Sequence, residues 1–212
     1  MTEKADIKKF SRSLIYVPIV HTQADMGVLG KLIWRAGLHK MGETVLKRKA
    51  SAIDQIWTTI ETTINRLDLV YARVRLYQDS LPVCGRELEI VQELAASGSR
   101  NHQLLLRMIE KGATLMGTES GELLIKEYEL SKRIVDAGNA SRTAKMKTHP
   151  KTLAESLLKD RDRYIAHRIN HTLCAGDTGV LFLGMFHSPE PFLDGDIHLA
   201  YPIEKPAGSA GQ

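Results

Sequence analysis

The sequence has few of the features that mark specialised classes of protein. Cysteine occurs only twice in 212 residues, at Cys84 and Cys174, too few for a disulfide framework or a zinc cluster. No apolar run approaches the ~20 residues of a membrane-spanning helix. The charged first residues carry no hydrophobic secretory segment behind them. These absences predict a cytoplasmic protein with reduced thiols and no membrane partner.

Aromatic residues and net charge are also low, and both bear on nucleic-acid binding. Aromatics make up 6% of the chain, and 29 Lys and Arg face 25 Asp and Glu. The basic excess lies mainly in residues 40–49 and 142–151. Such clusters can bind phosphate, but neither contains an aromatic side chain that could stack on a base. We expect solvated loops and helix ends here, and nucleic-acid binding through residues 142–151 is our weakest functional hypothesis.

Short apolar runs alternate with longer helical patterns, as in α/β proteins. The runs of strand length are residues 14–20, 113–117, 179–186 and 197–203. Their continuous apolar character is typical of strands buried on both faces of a parallel sheet. We therefore predict a helix-rich single α/β domain over residues 1–205, with a small, mainly parallel central sheet and a disordered tail at 206–212.

Apolar spacing and glycine stops predict six helices. They cover residues 28–36, 43–69, 86–96, 101–111, 118–137 and 151–173, with a loop at 138–150 before the last. Residues 71–84 fit a helix or a strand. In a strand Arg75, Tyr77 and Asp79 would share one face, whereas in a helix they would scatter. The shared face of a strand would be polar and half-buried, but we expect these three side chains to form ordinary protein surface.

Three of the predicted strands lead into a polar side chain. Residues 14–20 lead to His21, residues 113–117 to Glu119, and residues 179–186 to His187. Function in open α/β sheets gathers at the carboxyl ends of strands, and two imidazoles with a carboxylate can hold a metal or act as acid and base. The alternative is that each is only the polar residue with which a loop begins.

The helix that follows Pro150 carries an arginine on its apolar side. At ~100° per residue, Arg161 falls on the arc formed by Ala154, Leu157, Leu158, Ile165 and Ile169. His167 and His171 fall on the opposite, solvent-facing side. A guanidinium on a buried arc needs an anionic partner. Two roles stay open for Arg161: a structural ion pair with an acid such as Glu119, or binding of an oxyanion in a cleft.

Four segments carry a resemblance to a known superfamily. They are KDRDRYIAHRI at 159–169, GVLFLGMFH at 179–187, VPIVHTQAD at 17–25 and MGTES at 116–120. Together they resemble the TraB/PrgY and Tiki superfamily, which also takes in erythromycin-esterase-like and ChaN-like proteins. The resemblance implies an α/β fold, metal-dependent hydrolysis, and a site of His21, Glu119, Arg161 and His187 with Asp162 beside it.

Our leading hypothesis is a hydrolase of a small molecule or peptide. His21, His187 and Glu119 would hold a divalent transition metal (zinc, manganese or iron), and Arg161 would bind a developing oxyanion. The rival hypothesis is a non-catalytic protein that binds a small ligand, or regulates a partner, through the same cleft. The sequence leaves the oligomeric state open, a homo-oligomer included.

Overall fold

The described part of the chain contains five strands, five α-helices and two 3₁₀ helices, Tyr71–Arg73 and Glu190–Phe192. The computed structural model describes residues 12–22, 24–25, 43–138 and 145–203. The strands are β1 (Arg12–Ile19), β2 (Val74–Gln78), β3 (Thr114–Met116), β4 (Thr178–Gly184) and β5 (Ile197–Ala200). The helices are α1 (Glu43–Arg66), α2 (Glu87–Ala96), α3 (Arg100–Glu110), α4 (Gly121–Gly138) and α5 (Lys145–Thr172). The predicted α/β class is confirmed.

The strands form one sheet in the order β3-β2-β4-β1-β5, and every pairing is parallel. In the centre Ile19 of β1 lies opposite Gly184 of β4, and Gln78 of β2 lies opposite Phe182. All five carboxyl ends therefore meet along one side of the sheet, which we call the carboxyl edge. The opposite side is the amino edge.

Each face of the sheet is covered by helices, which gives three layers. One face contributes Val17, Leu76 and Phe182 to a core shared with α1, α2 and α3. The other face contributes Tyr16, Tyr77 and Leu181 to a second core against α5. Sealing on both faces explains why the strand sequences are apolar runs and not alternating patterns.

The ends of the helices follow local sequence signals. Gly98 and Gly112 follow α2 and α3 with positive φ angles of 92° and 108°, a conformation that glycine adopts without a steric penalty. Ser99 caps α3 by accepting a hydrogen bond from the backbone N–H of His102. These signals keep α2 and α3 short, at 10 and 11 residues.

Two sequence expectations are wrong. Residues 74–78 form strand β2 and Asp79 directly follows it, but Tyr77 and Asp79 are buried and not ordinary surface, because they pack against α5. The last helix begins at Lys145 and not at residue 151. Pro150 therefore lies in the second turn of this helix and does not open it.

Several expectations fall outside what the structure describes. The predicted helix at 28–36, the tail at 206–212 and the side chains of the basic cluster at 142–151 all lie beyond the described parts. The single domain over 1–205 stays a prediction. None of the helices in the described ranges has the length and apolar character needed to cross a membrane.

Candidate functional site at the carboxyl edge

The four polar residues that follow β1, β2, β3 and β4 are His21, Asp79, Glu119 and His187, and they gather at the carboxyl edge. Helix α5 adds Arg161 and Asp162 from above. We call these six side chains the carboxyl-edge cluster. All except His21 are almost fully buried, while the His21 side chain is 30% exposed. The predicted site residues are thus brought together, with Asp79 as an addition.

Arg161 is the centre of the cluster. Its Nε and Nη2 donate to the two oxygens of Glu119, both at 2.6 Å. Nη2 also donates to Oδ1 of Asp79 at 2.9 Å, and Nη1 donates to Glu127 at 2.6 Å. Four of the five N–H groups of a guanidinium are therefore directed at carboxylates. Of the two roles left open for Arg161, the ion pair with Glu119 is present.

Asp79 lies between Arg161 and both histidines. Its Oδ2 is 3.0 Å from Nε2 of His21 and 3.8 Å from Nε2 of His187. The same oxygen accepts a hydrogen bond from the backbone N–H of Gly184 at 2.8 Å. A Cβ added to Gly184 would come within 2.8 Å of this oxygen, so the close approach requires glycine.

The turn after β2 is shaped to serve two carboxylates. Ser80 has φ 61°, which is unusual for a residue other than glycine. This conformation directs the Ser80 backbone N–H at Glu119, 2.7 Å away, and its hydroxyl at Asp79, 3.0 Å away. Backbone strain of this kind persists where surrounding contacts hold it, often at functional sites.

His187 is oriented by Asp162. Its Nδ1 is 2.6 Å from Oδ1 of Asp162, whose other oxygen accepts from the backbone N–H of Ser188 at 3.0 Å. The hydroxyl of Tyr16 donates to the His187 carbonyl at 3.4 Å. A carboxylate on one ring nitrogen fixes the ring's orientation and leaves Nε2 as the nitrogen that faces Asp79.

The two histidines have raised pKa values. Burial is the largest single effect on the pKa of His21 and would lower it, but the hydrogen bond to Asp79 and the charges of Asp79 and Asp25 together raise it. Burial also acts to lower the pKa of His187, and the hydrogen bond to Asp162 with the charge of Asp79 raises it. The imidazoles are therefore more basic than usual because carboxylates surround them.

The two central carboxyl groups are shifted in opposite directions. Burial would raise the pKa of Asp79, but His21, His187 and Arg161 hold it well below its usual range. For Glu119 burial prevails and raises the pKa, although Arg161 opposes it. Groups with pKa values pushed apart in one cleft are typical of functional sites.

We tested whether the cluster fits the metal that the superfamily resemblance implies. Within the ranges that the structure describes, no three His, Cys, Asp or Glu side chains form a ready-made metal site. Both oxygens of Glu119 are bonded to Arg161. The carboxylate that faces both histidines is Asp79, whose Oδ2 is 3.0 Å from His21 and 3.8 Å from His187. By donor type, His21, His187 and Asp79 are the side chains of the cluster that could hold such a metal.

Asp79 is the site residue that sequence reasoning missed. It directly follows β2, the same position that led us to His21, Glu119 and His187, but residues 71–84 did not distinguish strand from helix. The helical arc was interpreted correctly: Arg161 is 3% exposed, while His167 and His171 are exposed and lie outside the cluster.

Comparison with known proteins does not assign the chain to a family. No protein-family profile, curated protein or solved structure matches the chain. The resemblance to the TraB/PrgY and Tiki superfamily therefore stays a prediction based on the four segments given above.

Proposed function

We propose that the protein is a hydrolase that acts at the carboxyl-edge cluster and holds a divalent transition metal through His21, His187 and Asp79. The observation that carries the proposal is the convergence of two imidazole nitrogens on Oδ2 of Asp79, at 3.0 and 3.8 Å. Asp79 takes the place that the sequence alone suggested for Glu119. Zinc, manganese and iron are the candidates, since imidazole favours these ions over calcium.

The charge of the cluster supports a divalent ion. The buried carboxylates of Asp79, Glu119 and Asp162 face one buried guanidinium, that of Arg161. With neutral histidines the buried groups carry an excess of two negative charges, which is costly away from water. Two imidazolium protons offset this excess, and so does one divalent cation.

The surrounding residues have separate tasks. The bond from Asp162 to Nδ1 of His187 is the contact that tunes and orients a metal-ligating histidine. Arg161 and the Gly184 N–H fix the two oxygens of Asp79. A bound transition metal would supply Lewis acidity and a more acidic water.

The rival hypothesis loses part of its basis. A module that binds anions through Arg161 needs a guanidinium that faces the ligand. Here Glu119, Asp79 and Glu127 accept four of its hydrogen bonds. We therefore assign Arg161 the role of positioning carboxylates, while Glu119 keeps Arg161 and the Ser80 turn in place.

Elemental analysis of protein purified without a metal-affinity column tests the proposal. We expect near-stoichiometric zinc, manganese or iron in the wild type and its loss in the His21→Gln/His187→Gln variant. The matched control is His167→Gln/His171→Gln, which removes two imidazoles from the exposed face of α5 and should retain the metal. Circular dichroism establishes that both variants fold.

A substrate screen completes the test. Metal-loaded wild type is assayed on chromogenic esters, amides, phosphoesters and lactams, and the cluster variant should lose any hydrolysis that the control retains. Absence of metal in the wild type after incubation with zinc, manganese and iron would remove the metal from the proposal. Hydrolysis that is equal in the wild type and the cluster variant would remove the site.

A further inference from the structure

A small pocket lies beside the carboxyl-edge cluster, on the face of the sheet covered by α2 and α3. It has room for about one water-sized group. His21, Asp79 and Gln78 line one side, and the remaining lining includes Asp25, His102 and the aliphatic side chains of Leu81, Ile90 and Leu94. The pocket is therefore lined by His21 and Asp79 of the proposed site and, on the other side, by partly apolar residues that have no role in the proposed hydrolysis.

Gln78 presents an unpaired acceptor in this pocket. Its side chain belongs to a residue that is 1% exposed, and its Nε2 donates to the backbone carbonyl of Asp79 at 3.2 Å. This bond fixes the orientation of the amide, because the reverse orientation would set oxygen against oxygen. Oε1 is buried and has no hydrogen-bond partner among the residues that the structure describes. A buried acceptor of this kind calls for a donor.

The carboxylates around the pocket already have partners of their own. Asp25 accepts from the backbone N–H of Thr22 at 2.5 Å and from the hydroxyl of Ser99. Nδ1 of His102 lies 3.7 Å from Asp25. Asp79 is paired with Arg161 and His21. Because the carboxylates are already paired, the group that would complete the pocket is a neutral hydrogen-bond donor and not a cation.

We infer that the pocket binds a hydroxyl group of the substrate, with Oε1 of Gln78 as the acceptor that determines specificity. A hydroxyl has the size of the pocket, supplies the missing donor and carries no charge. The aliphatic side chains of Leu81, Ile90 and Leu94 pack beside the carbon that bears it. The inference rests on the proposed function, and it narrows the substrates to hydroxylated compounds whose scissile bond lies near His21 and Asp79.

Binding of two matched amides tests this without turnover or metal. Glycolamide and propionamide differ by a hydroxyl in place of a methyl group. Titrations of the full ¹⁵N-labelled chain are followed by NMR. We expect glycolamide to bind at least about tenfold more tightly and to shift the side-chain amide resonance of Gln78. Gln78→Met should abolish the preference, and Gln78→Glu, which keeps an acceptor, should retain it.

Gln103→Met is the matched control. Gln103 on α3 is half-buried, donates to the Ala95 carbonyl and does not line the pocket, so this variant should keep the preference for glycolamide. Equal binding of the two amides, no binding of either, or a preference that survives Gln78→Met would overturn the inference. Tighter binding of glycinamide than of glycolamide would also overturn it, in favour of a cation.

The outcome is separable from that of the proposed function. Stoichiometric metal and hydrolysis without a glycolamide preference would reject only the hydroxyl pocket. A glycolamide preference centred on Gln78, in a protein that neither holds metal nor hydrolyses the screened compounds, would reject only the hydrolase.

Discussion

Two arginines at opposite edges of the sheet gather carboxylates, yet their surroundings differ. At the amino edge Arg12 binds Asp194 and Asp196, whose side chains are 52% and 44% exposed. At the carboxyl edge Arg161 binds Asp79 and Glu119, whose side chains are 2% and 1% exposed. The contacts are equally short, so distance alone does not distinguish the two groups.

The difference lies in what happens when the arginine is removed. The aspartates beside Arg12 would regain water, so their pairing contributes modestly, as exposed ion pairs do. The carboxylates beside Arg161 have no water to return to and would be left as unpaired buried charges. The amino-edge group therefore links β1 to the segment before β5. In the carboxyl-edge cluster, loss of one charged side chain leaves another buried charge unpaired.

The largest effect should come from Arg161→Met. We expect it to lower the free energy of unfolding by about 3–5 kcal/mol, because two buried carboxylates lose their counterion. Urea unfolding followed by circular dichroism measures this, or loss of soluble folded protein reports it at the extreme. A loss below about 1 kcal/mol would show that water reaches Asp79 and Glu119, and the contrast between the two edges would disappear.

Gly184→Ala should come next. The added Cβ would approach Oδ2 of Asp79 to 2.8 Å, and we expect a loss of about 2 kcal/mol from overpacking together with loss of metal binding. Gly195→Ala is the control, since a Cβ there meets no atom of the described residues within 4 Å. Equal unfolding midpoints for the two variants would mean that the cluster can relax around a methyl group.

Arg12→Met is the counterpart of the first variant at the amino edge. It removes the bonds to Asp194 and Asp196 and one of 2.7 Å to the carbonyl of Asn170. We expect a loss of about 1 kcal/mol, and this loss should shrink in 1 M salt because exposed charges are screened. A loss as large as that of Arg161→Met would contradict the comparison.

The smallest effect should be a pH dependence confined to the carboxyl edge. Because His187 has a raised pKa when folded, its contribution to stability is complete below the unfolded pKa of about 6.5 and is lost as pH rises through the folded pKa. After treatment with EDTA, the protein should therefore have a lower urea concentration at its unfolding midpoint at pH 8 than at pH 6. The slope should weaken in His187→Gln and persist in Arg12→Met. If the pH dependence of stability is unchanged in His187→Gln, it arises from a group other than His187.

Most of the fold could be predicted because its signals are local. Apolar runs predicted β1, β3, β4 and β5, and glycine stops bounded α2 and α3. For residues 71–84 the spacing of Tyr71, Val74 and Leu76 fits both the period of a helix and that of a strand. What makes them a strand is pairing with β3 and β4 on either side, which is information that lies far away in the sequence.

The sequence predicted most of the residues of the site, but not most of the contacts between them. Strand ends and the helical arc indicated His21, Glu119, His187 and Arg161, and the ion pair of Arg161 with Glu119 was one expected alternative. Asp79 followed the one strand left undecided. Its central position depends on β2 lying between β3 and β4 in the sheet, an order that no local pattern encodes.

The pairing of β1 has a consequence for how the chain is made. β1 hydrogen-bonds to β4 and β5, which begin at Thr178 and Ile197. At ribosomal rates of about 5–20 residues per second, roughly 8–36 s pass between synthesis of β1 and of its partners. During that interval α1 can already pack against β1, but both edges of this apolar strand have no strand partner. The sheet's central pairing forms only after translation of β4, and it brings His21 to His187 in the same event.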